Sequence, residues 1–270
     1  MFVGGVGIGW LARGEVATKP AAPAMSSSGA IDASVAASMP AVSSAAASAP
    51  PSAAMGADAA ALSKETQEAF EGIYKNASWG ANDAGVGNSG SGSLLDTTAV
   101  YRTFLAQFFK EYDIHSVVDA GCGDWEFSSK IDWRGIDYKG FDIAHQVVEH
   151  DKKLYTKPNI HFFEADIVET DLPKADLLIS KHVLQHLPNA SVKKFLEKQL
   201  PKYKHVLIMS GVHHVTFAGE NTDISPGGYR TLDLTAPPFN VVGLKTLNYF
   251  DGYHMHTLLH VGKKHNDAAP

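Results

Sequence analysis

A short apolar strand that ends in an acid and two glycines is the feature of this sequence that most limits its fold. Residues 116–118 have the pattern of a buried strand, and the run Asp119-Ala120-Gly121-Cys122-Gly123-Asp124-Trp125 follows directly. Gly121 can take backbone angles closed to other residues, and Gly123 leaves no side chain in the way of a ligand. We therefore predict a turn from strand to helix, whose free N–H groups face a polar or anionic ligand.

A second acid follows the next predicted strand. Residues 138–142 end in Asp142, and a carboxylate at that place can bind both hydroxyls of a ribose. A turn that binds a dinucleotide requires a third glycine where this chain has Glu126. The pattern therefore indicates a nucleoside cofactor other than NAD or FAD.

An Asp-x-Gly-x-Gly turn, here Asp119 to Gly123, with Asp142 after the second strand resembles the class I S-adenosylmethionine-dependent methyltransferases. The resemblance implies that Asp119 helps to hold the methionine part of the cofactor, and that Asp142 holds its ribose. It also implies an acceptor for the methyl group of that cofactor.

The resemblance continues downstream and covers roughly residues 97–263. Residues 159–167 are similar to the family's third strand, whose terminal acid, here Asp166, meets the adenine amino group. Residues 175–187 are similar to its fourth strand and the helix that follows. Four segments in this order are more specific than the turn alone.

Strands alternate with helices along most of the chain, which predicts a parallel sheet with right-handed crossovers. Two further strands at the end are joined around residues 251–253, which is a hairpin signal. We therefore predict an α/β fold with a Rossmann-like, doubly wound sheet of seven strands, five parallel and two in a C-terminal antiparallel hairpin. The predicted strands are 116–119, 138–142, 159–164, 175–180, 204–210, 244–250 and 256–261.

The first sixty residues differ from the rest because they consist mostly of Ala, Ser, Gly, Pro and Met. Such a segment buries too little apolar surface to offset its chain entropy, so residues 1–60 are predicted to be disordered. Residues 61–270 are predicted to form the methyltransferase domain. Residues 1–12 are apolar but too short to span a membrane, so stable insertion is not expected, although weak membrane association stays open.

Charge and cysteine content limit the expected partners and the expected cellular compartment. The chain has 23 Lys and Arg against 29 Asp and Glu, a net charge of −6, so nucleic acid is not an expected partner. Cys122 is the only cysteine, which excludes an intrachain disulfide and fits a reducing, cytoplasmic compartment. The oligomeric state is left open.

The predicted site has three parts. His182 is the candidate base and His186 the second candidate, since the spacing i, i+4 would place both on one helix face. The pair lacks the Glu and Cys partners of metal sites, so no metal is expected. Trp79, Tyr229 and Arg230 are candidates for a lid or substrate contact. The predicted cofactor-binding residues are Asp119, Gly121, Cys122, Gly123, Trp125, Asp142, Ile143, Asp166, Ile167, Ser180 and Lys181.

The expected reaction is methyl transfer to an oxygen, and less readily to a nitrogen, of a small-molecule acceptor. Relatives that methylate exocyclic amines of bases often carry Asn/Asp-Pro-Pro-Tyr/Phe where this chain has Ser180-Lys181-His182-Val183. Two alternatives stay open: a protein that binds the cofactor without transferring its methyl group, and an NAD or nucleotide-sugar enzyme on a similar fold.

Overall fold

Seven strands form one sheet in a computed structural model of the protein, which describes residues 51–81, 88–214, 216, 219–252 and 254–262. The strands are β1 Ser116–Ala120, β2 Asp137–Asp142, β3 Ile160–Glu164, β4 Leu177–Lys181, β5 His205–Val212, β6 Leu244–Phe250 and β7 Met255–Gly262. Their order in the sheet is β3-β2-β1-β4-β5-β7-β6. The first five are parallel to their neighbours, and β7 is antiparallel to both β5 and β6, so the predicted fold class is confirmed.

Four α-helices surround this sheet within the described residues: α1 Pro51–Lys75, α2 Ala99–Glu111, α3 His145–Tyr155 and α4 Asn189–Gln199. Side chains of α1 and α4 belong to one hydrophobic cluster, and side chains of α2 belong to the other. The strands supply both clusters because successive side chains point to opposite faces. In β5, Val206 and Ile208 join the first cluster, while Leu207 and Met209 join the second.

The connection between β1 and β2 differs from the predicted helix. It contains only a short 3₁₀ helix, Ser128–Lys130. Trp125 has a positive φ of 54° and is 1% exposed, so the backbone turns away from a helical path and sends this ring into the core. The helix start predicted after Gly123 was therefore wrong.

Helix α1 begins at Pro51 and ends at Lys75. Its buried side chains Thr66, Phe70 and Tyr74 face the body of the domain. Residues 51–60, part of the segment predicted to be disordered, are helical in this structure. Residues 1–50 lie outside the described part of the chain, so their predicted disorder stays a prediction. Among the described helices, none is long and apolar enough to cross a bilayer.

Candidate cofactor and catalytic site

A cavity of about 440 Å³ lies at the carboxyl ends of the parallel strands. This edge of an open α/β sheet is where ligands bind in such folds. Most of the predicted site residues line the cavity: Trp79, Asp119, Gly121, Cys122, Gly123, Asp142, Ile143, Asp166, Ile167, Lys181, His182, His186 and Tyr229.

Asp142 ends β2 as a buried carboxylate held by backbone groups. Its Oδ2 accepts the N–H of Gly123 at 3.0 Å, and its Oδ1 accepts the N–H of Ala144 at 3.0 Å. Burial raises the pKa of this carboxyl, and the backbone N–H groups oppose that rise. Each oxygen still has a lone pair to offer, which fits the two hydroxyls of a ribose.

Asp119 lies at the end of β1 and accepts a hydrogen bond from the hydroxyl of Tyr138 at 2.7 Å. Burial raises the pKa of Asp119 to about 7, while the Tyr138 hydrogen bond and the charge of Lys181 oppose the rise. A cation bound beside this carboxyl would favour its ionised form. The environment therefore fits the amino group of the methionine part of the cofactor.

Asp166 follows β3 and joins helix α1 to the cavity. Its Oδ2 accepts the Ser63 hydroxyl at 2.5 Å, and its Oδ1 accepts the N–H of Val168 at 2.8 Å. The predicted contact with an adenine amino group would share these oxygens with Ser63.

Other side chains of the protein pack directly against the two glycines of the turn, so the glycines do not leave open space. Gly121 and Gly123 have φ values of +85° and +59°. A Cβ atom on Gly121 would lie 2.3 Å from a methyl group of Val183, and one on Gly123 would lie 2.3 Å from Oγ of Ser89. The prediction that Gly123 leaves room for the ligand is therefore corrected: Ser89 fills that space.

A segment that sequence reasoning did not select covers the turn. Ser89 donates its N–H to Asp124 Oδ2 at 3.0 Å, and its Oγ accepts the N–H of Asp124 at 2.9 Å. Oγ of Ser89 also lies 2.9 Å from the hydroxyl of Tyr74 on α1. Helix α1 and residues 88–93 thus form a roof over the turn of residues 119–123. The Gly- and Ser-rich composition of this segment suggested only a loop.

His182 follows β4 and makes contacts that its sequence position did not reveal. It has a φ of +57° and lies outside any helix, so the predicted helix face shared with His186 was wrong. Nε2 of His182 lies 2.9 Å from Nδ1 of His256, and Nε2 of His256 lies 2.7 Å from Oδ2 of Asp251. His256 was not selected from the sequence, because 74 positions separate it from His182 and no local pattern joins them.

Lys181 lies beside His182 at the same strand end. Its Nζ donates to the carbonyl oxygen of Gly92, lies 3.3 Å from Nδ1 of His182 and stands 5.0 Å from the ring centre of Phe127. Burial lowers the pKa of Lys181 to about 7, and the charges of Asp251 and Asp119 oppose this. The cavity thus holds a nitrogen donor and an imidazole side by side.

His186 lines the cavity but has a different environment. Its Nδ1 donates to the carbonyl oxygen of Gly228 at 2.7 Å, and its ring lies 4.8 Å from that of Trp79 and 5.7 Å from that of Tyr229. Burial lowers the pKa of His186 to about 4, so the ring is neutral at pH 7. This histidine therefore links the loop of residues 225–230 to Trp79.

Two residues of the predicted cofactor set do not line the cavity. Trp125 is buried in an aromatic cluster, with ring centres 5.3 Å from Phe162 and 5.4 Å from Tyr138. The hydroxyl of Ser180 donates to the carbonyl oxygen of Ala120 at 2.9 Å, which ties β4 to β1. Both residues shape the strand ends that carry the cavity.

Arg230, predicted to contact substrate, also lies away from the cavity. Its guanidinium donates to the carbonyl oxygen of Leu187 at 2.7 Å and to Oδ1 of Asn189 at 2.9 Å. These two acceptors lie at the start of α4, and the hydrogen bonds to them hold the Arg230 side chain inside the protein. Arg230 therefore anchors the loop that presents Tyr229. The described residues contain no group of three or more metal-ligating side chains.

Comparison with known proteins concerns the family of the domain and its fold. Residues 117–217 match the protein family described as "Methyltransferase domain". No curated protein matches the chain. The N-methyltransferase NodS from Bradyrhizobium japonicum WM9, solved with S-adenosyl-L-homocysteine, shares the fold with a TM-score of 0.52 at 11% identity; the match covers 70% of this chain and 96% of NodS.

Two further structures are similar at lower scores. The DhpI complex with S-adenosyl-L-homocysteine has a TM-score of 0.47 at 12% identity, over 75% of this chain and 98% of that one. Human N-acetylserotonin methyltransferase, solved with S-adenosylmethionine, has a TM-score of 0.47 at 18% identity, over 62% of this chain and 53% of that one. The family match shows a methyltransferase domain over residues 117–217, which include the strands that carry the turn and the acids, and the fold is the one that NodS shares.

Proposed function

We propose that this enzyme transfers a methyl group to an oxygen of a small-molecule acceptor. The observation that carries the proposal is the position of His182, which lines the same cavity as the strand-end acids. S-adenosylmethionine supplies a methyl group already activated on a sulfonium sulfur, so the protein has to position the acceptor and remove its proton.

The acids and the bases occupy different strand ends of the cavity. Asp119 and Asp142 end β1 and β2, and Asp166 follows β3, so the cofactor contacts are proposed along these three strands. Lys181 and His182 lie at the end of β4. The acceptor is therefore proposed to enter on the β4 side, with His182 as its base.

The pairing of Lys181 with His182 favours oxygen over nitrogen as the attacking atom. A hydroxyl oxygen has two lone pairs, so it can accept a hydrogen bond from Lys181 with one and attack the methyl group with the other. Its proton can at the same time go to His182. An amine nitrogen has a single lone pair, which it needs for the attack, so it cannot also accept a hydrogen bond from Lys181.

The enclosure of these groups favours a small acceptor. Lys181, His186 and His256 are each less than 10% exposed, whereas Tyr229 is 53% exposed and borders the cavity. A large macromolecular surface cannot reach side chains buried to this degree. We therefore propose a slender acceptor that passes Tyr229.

The proposal is tested by incubating the protein with methyl-labelled S-adenosylmethionine and separate panels of phenols, alcohols, amines and carboxylic acids. Label should appear on a hydroxyl compound. The variant His182→Ala should transfer about 10²–10⁴-fold more slowly, because it lacks the base. Its affinity for S-adenosyl-L-homocysteine should be unchanged.

A matched control removes an exposed histidine that also faces a carboxylate. His115 pairs with Asp113 at 3.0 Å, and both side chains are largely exposed, so His115→Ala should keep full turnover. Label found only on amines, or full turnover in His182→Ala, would contradict the proposal. Cofactor binding without transfer to any panel would favour the alternative of a cofactor-binding protein.

A further inference from the structure

We infer that Asp251, His256 and His182 form a proton relay, and that the acceptor is therefore a hydroxyl compound, an alcohol or a phenol, that enters with its proton. The inference rests on the proposed function, because a methyl acceptor must supply the proton. It adds two residues, Asp251 and His256, to the site and names the chemical class of the acceptor.

The three side chains form a continuous chain from the hairpin to the cavity. Asp251 follows β6, His256 is on β7, and His182 follows β4, so the relay joins the antiparallel hairpin to the parallel strands. The side chains of Asp251 and His256 are 1% and 2% exposed. Burial protects both contacts from water, so the hydrogen bonds between these groups are well defined.

The carboxylate determines which nitrogen of each ring carries the proton. An ionised carboxylate only accepts hydrogen bonds, so His256 must donate to Asp251 from Nε2. In a neutral ring, Nδ1 of His256 is then an acceptor, and His182 must donate to it from Nε2. Nδ1 of His182 is therefore left unprotonated and accepts a hydrogen bond from Nζ of Lys181 at 3.3 Å. It can take a proton when Lys181 donates to the acceptor's oxygen instead.

The proton balance of the relay is simple. The acceptor's O–H bond breaks, its proton joins Nδ1 of His182, and its electron pair forms the new bond from oxygen to the methyl carbon. The bond between that carbon and the sulfonium sulfur breaks, and its electron pair stays on sulfur. The Nε2 proton of His182 passes to Nδ1 of His256, and the resulting imidazolium lies against the carboxylate of Asp251. The proton is later released to solvent.

His256 matters to the relay because His182 is surrounded by Lys181 and by other histidines, which oppose a positive charge on its ring. Burial and then the charge of Lys181 lower the pKa of His182, and His256, His186 and His254 lower it further. Burial also lowers the pKa of His256, but the hydrogen bond and charge of Asp251 oppose this. A proton taken from the acceptor is therefore held better on His256 than on His182.

The relay also discriminates between classes of oxygen acceptor. A carboxylic acid is ionised at neutral pH and needs no base to attack. A phenol or an alcohol keeps its proton at neutral pH, so its attack depends on an acceptor such as Nδ1 of His182. The hydrogen-bonded side chains Asp251, His256 and His182 leave one unprotonated nitrogen, on His182, to take a proton. This arrangement suits an alcohol or a phenol as the methyl acceptor.

Asp251→Asn is the decisive variant because the amide orientation is determined by a second contact. Oδ1 of Asp251 accepts the backbone N–H of His254 at 2.7 Å, so the asparagine oxygen should keep that bond. The amide nitrogen would then replace Oδ2 and donate to Nε2 of His256. His256 would carry its proton on Nδ1, His182 would be forced to carry its own on Nδ1, and the base would be lost.

The measurement is two-bond ¹H–¹⁵N correlation NMR of the histidine side chains at neutral pH, on the full chain with and without S-adenosyl-L-homocysteine. The native protein should show His182 and His256 protonated on Nε2, and Asp251→Asn should show both protonated on Nδ1. Asp113→Asn, which changes the exposed carboxylate beside His115, is the control and should leave both signals unchanged. His256→Phe identifies the His256 signals and should leave His182 with a mixture of tautomers.

Turnover is measured on the same variants with the hydroxyl panel. Asp251→Asn should lose about 10²–10⁴-fold in rate and keep its affinity for S-adenosyl-L-homocysteine. The relay would be overturned if His182 and His256 stayed protonated on Nε2 in Asp251→Asn. It would also be overturned if His182 were protonated on Nδ1 in the native protein. Reversed tautomers with full turnover would overturn its role in the reaction.

The NMR result is obtained without an acceptor, so it separates the relay from the proposed function. If no hydroxyl compound is methylated while the tautomers behave as expected, then the proposed function and the acceptor class fail. The hydrogen-bonded chain would then stand alone as a structural feature.

Discussion

At the scale of single residues, Asp142 is the carboxylate on which the cofactor assignment depends most. The variant Asp142→Ala should bind S-adenosyl-L-homocysteine more weakly by about 1.5–3 kcal/mol, because hydrogen bonds from the ribose to a charged group are lost. Titration calorimetry measures the change. Asp132→Ala removes an exposed carboxylate paired with Arg134, and it should bind normally.

The melting temperature of Asp142→Ala separates loss of the ligand contact from loss of the turn. Asp142 also accepts the N–H groups of Gly123 and Ala144, so some loss of stability is expected without ligand. Unchanged affinity in a folded variant would show that Asp142 does not hold the ribose.

Asp151 is a second buried carboxylate, but it lies outside the cavity lining. Its side chain is fully buried on α3, and its Oδ2 has no hydrogen-bond partner among the described residues. Burial raises the pKa of Asp151 to about 9, and the charges of Asp124, Asp142 and Asp119 add to the rise. In the folded protein this carboxyl is therefore protonated at neutral pH.

This shift gives Asp151 a defined effect on stability. Between its unfolded pKa near 4 and its folded pKa of about 9, the folded state binds the extra proton, so raising the pH destabilises the fold. The variant Asp151→Asn has no carboxyl that titrates at this position, so it lacks this pH-dependent loss of stability. Its free energy of unfolding relative to the native protein should rise by up to about 4 kcal/mol between pH 5 and pH 8, since each pH unit between the two pKa values contributes about 1.4 kcal/mol.

Denaturant unfolding at the two pH values measures this difference. Asp113→Asn, at an exposed carboxylate, is the control and should show almost none. A difference that stays constant from pH 5 to pH 8 would contradict the raised pKa.

At the scale of elements, helix α1 closes the side of the cavity where the cofactor is proposed to bind. Ser63 contacts Asp166, Phe70 and Tyr74 are buried in the first hydrophobic cluster, and Thr66 lines the cavity. Burying each large apolar side chain contributes about 1.5–3 kcal/mol. The helix should therefore stabilise both the domain and its complex with the cofactor.

Two truncations test this role of α1. A chain that starts at Ala61 keeps all four of these side chains, so its melting temperature and affinity for S-adenosyl-L-homocysteine should match those of the full chain. A chain that starts at Asn76 lacks them and should lose stability by about 1.5–3 kcal/mol or more, together with cofactor affinity. Thermal denaturation and calorimetry report the two quantities.

The first truncation also tests the prediction that residues 1–60 add nothing to the fold. A clear fall in melting temperature on removing them would contradict it. Equal affinity in both truncations would show that α1 does not cover the bound cofactor.

At the scale of the whole molecule, cofactor binding should stabilise the fold because the cavity is assembled from distant parts of the chain. A ligand that binds only the folded state adds about 2.7 kcal/mol at one hundred times its Kd. S-adenosyl-L-homocysteine at that concentration should therefore raise the melting temperature. NAD should not, since Glu126 stands where the third glycine of a dinucleotide-binding turn belongs.

Differential scanning calorimetry with each ligand makes the comparison. Asp142→Ala provides the matched control, because it should show a smaller rise with S-adenosyl-L-homocysteine at the same concentration. Stabilisation by NAD alone would instead revive the alternative of a nucleotide-dependent enzyme on a similar fold.

The sequence by itself determined the sheet and the acids at its edge. Apolar runs of strand length and their turns are local, so all seven strands could be predicted from short stretches of chain. Asp119, Asp142 and Asp166 could be selected because parallel strands bring their carboxyl ends to one edge. The type of cofactor was implied by the resemblance of this arrangement to the class I S-adenosylmethionine-dependent methyltransferases.

Only the tertiary structure decided how the cavity is covered and which histidines meet. Ser89 and helix α1 close over the turn through contacts between distant segments, and loop composition carries no information about such contacts. His182 follows β4 and His256 lies on β7, and these strands are not neighbours in the sheet, so the two rings meet only once β7 is inserted beside β5. Local patterns identify which strand end a residue occupies. The direction of its side chain depends on backbone angles such as the positive φ of His182, which are set by the packing around it.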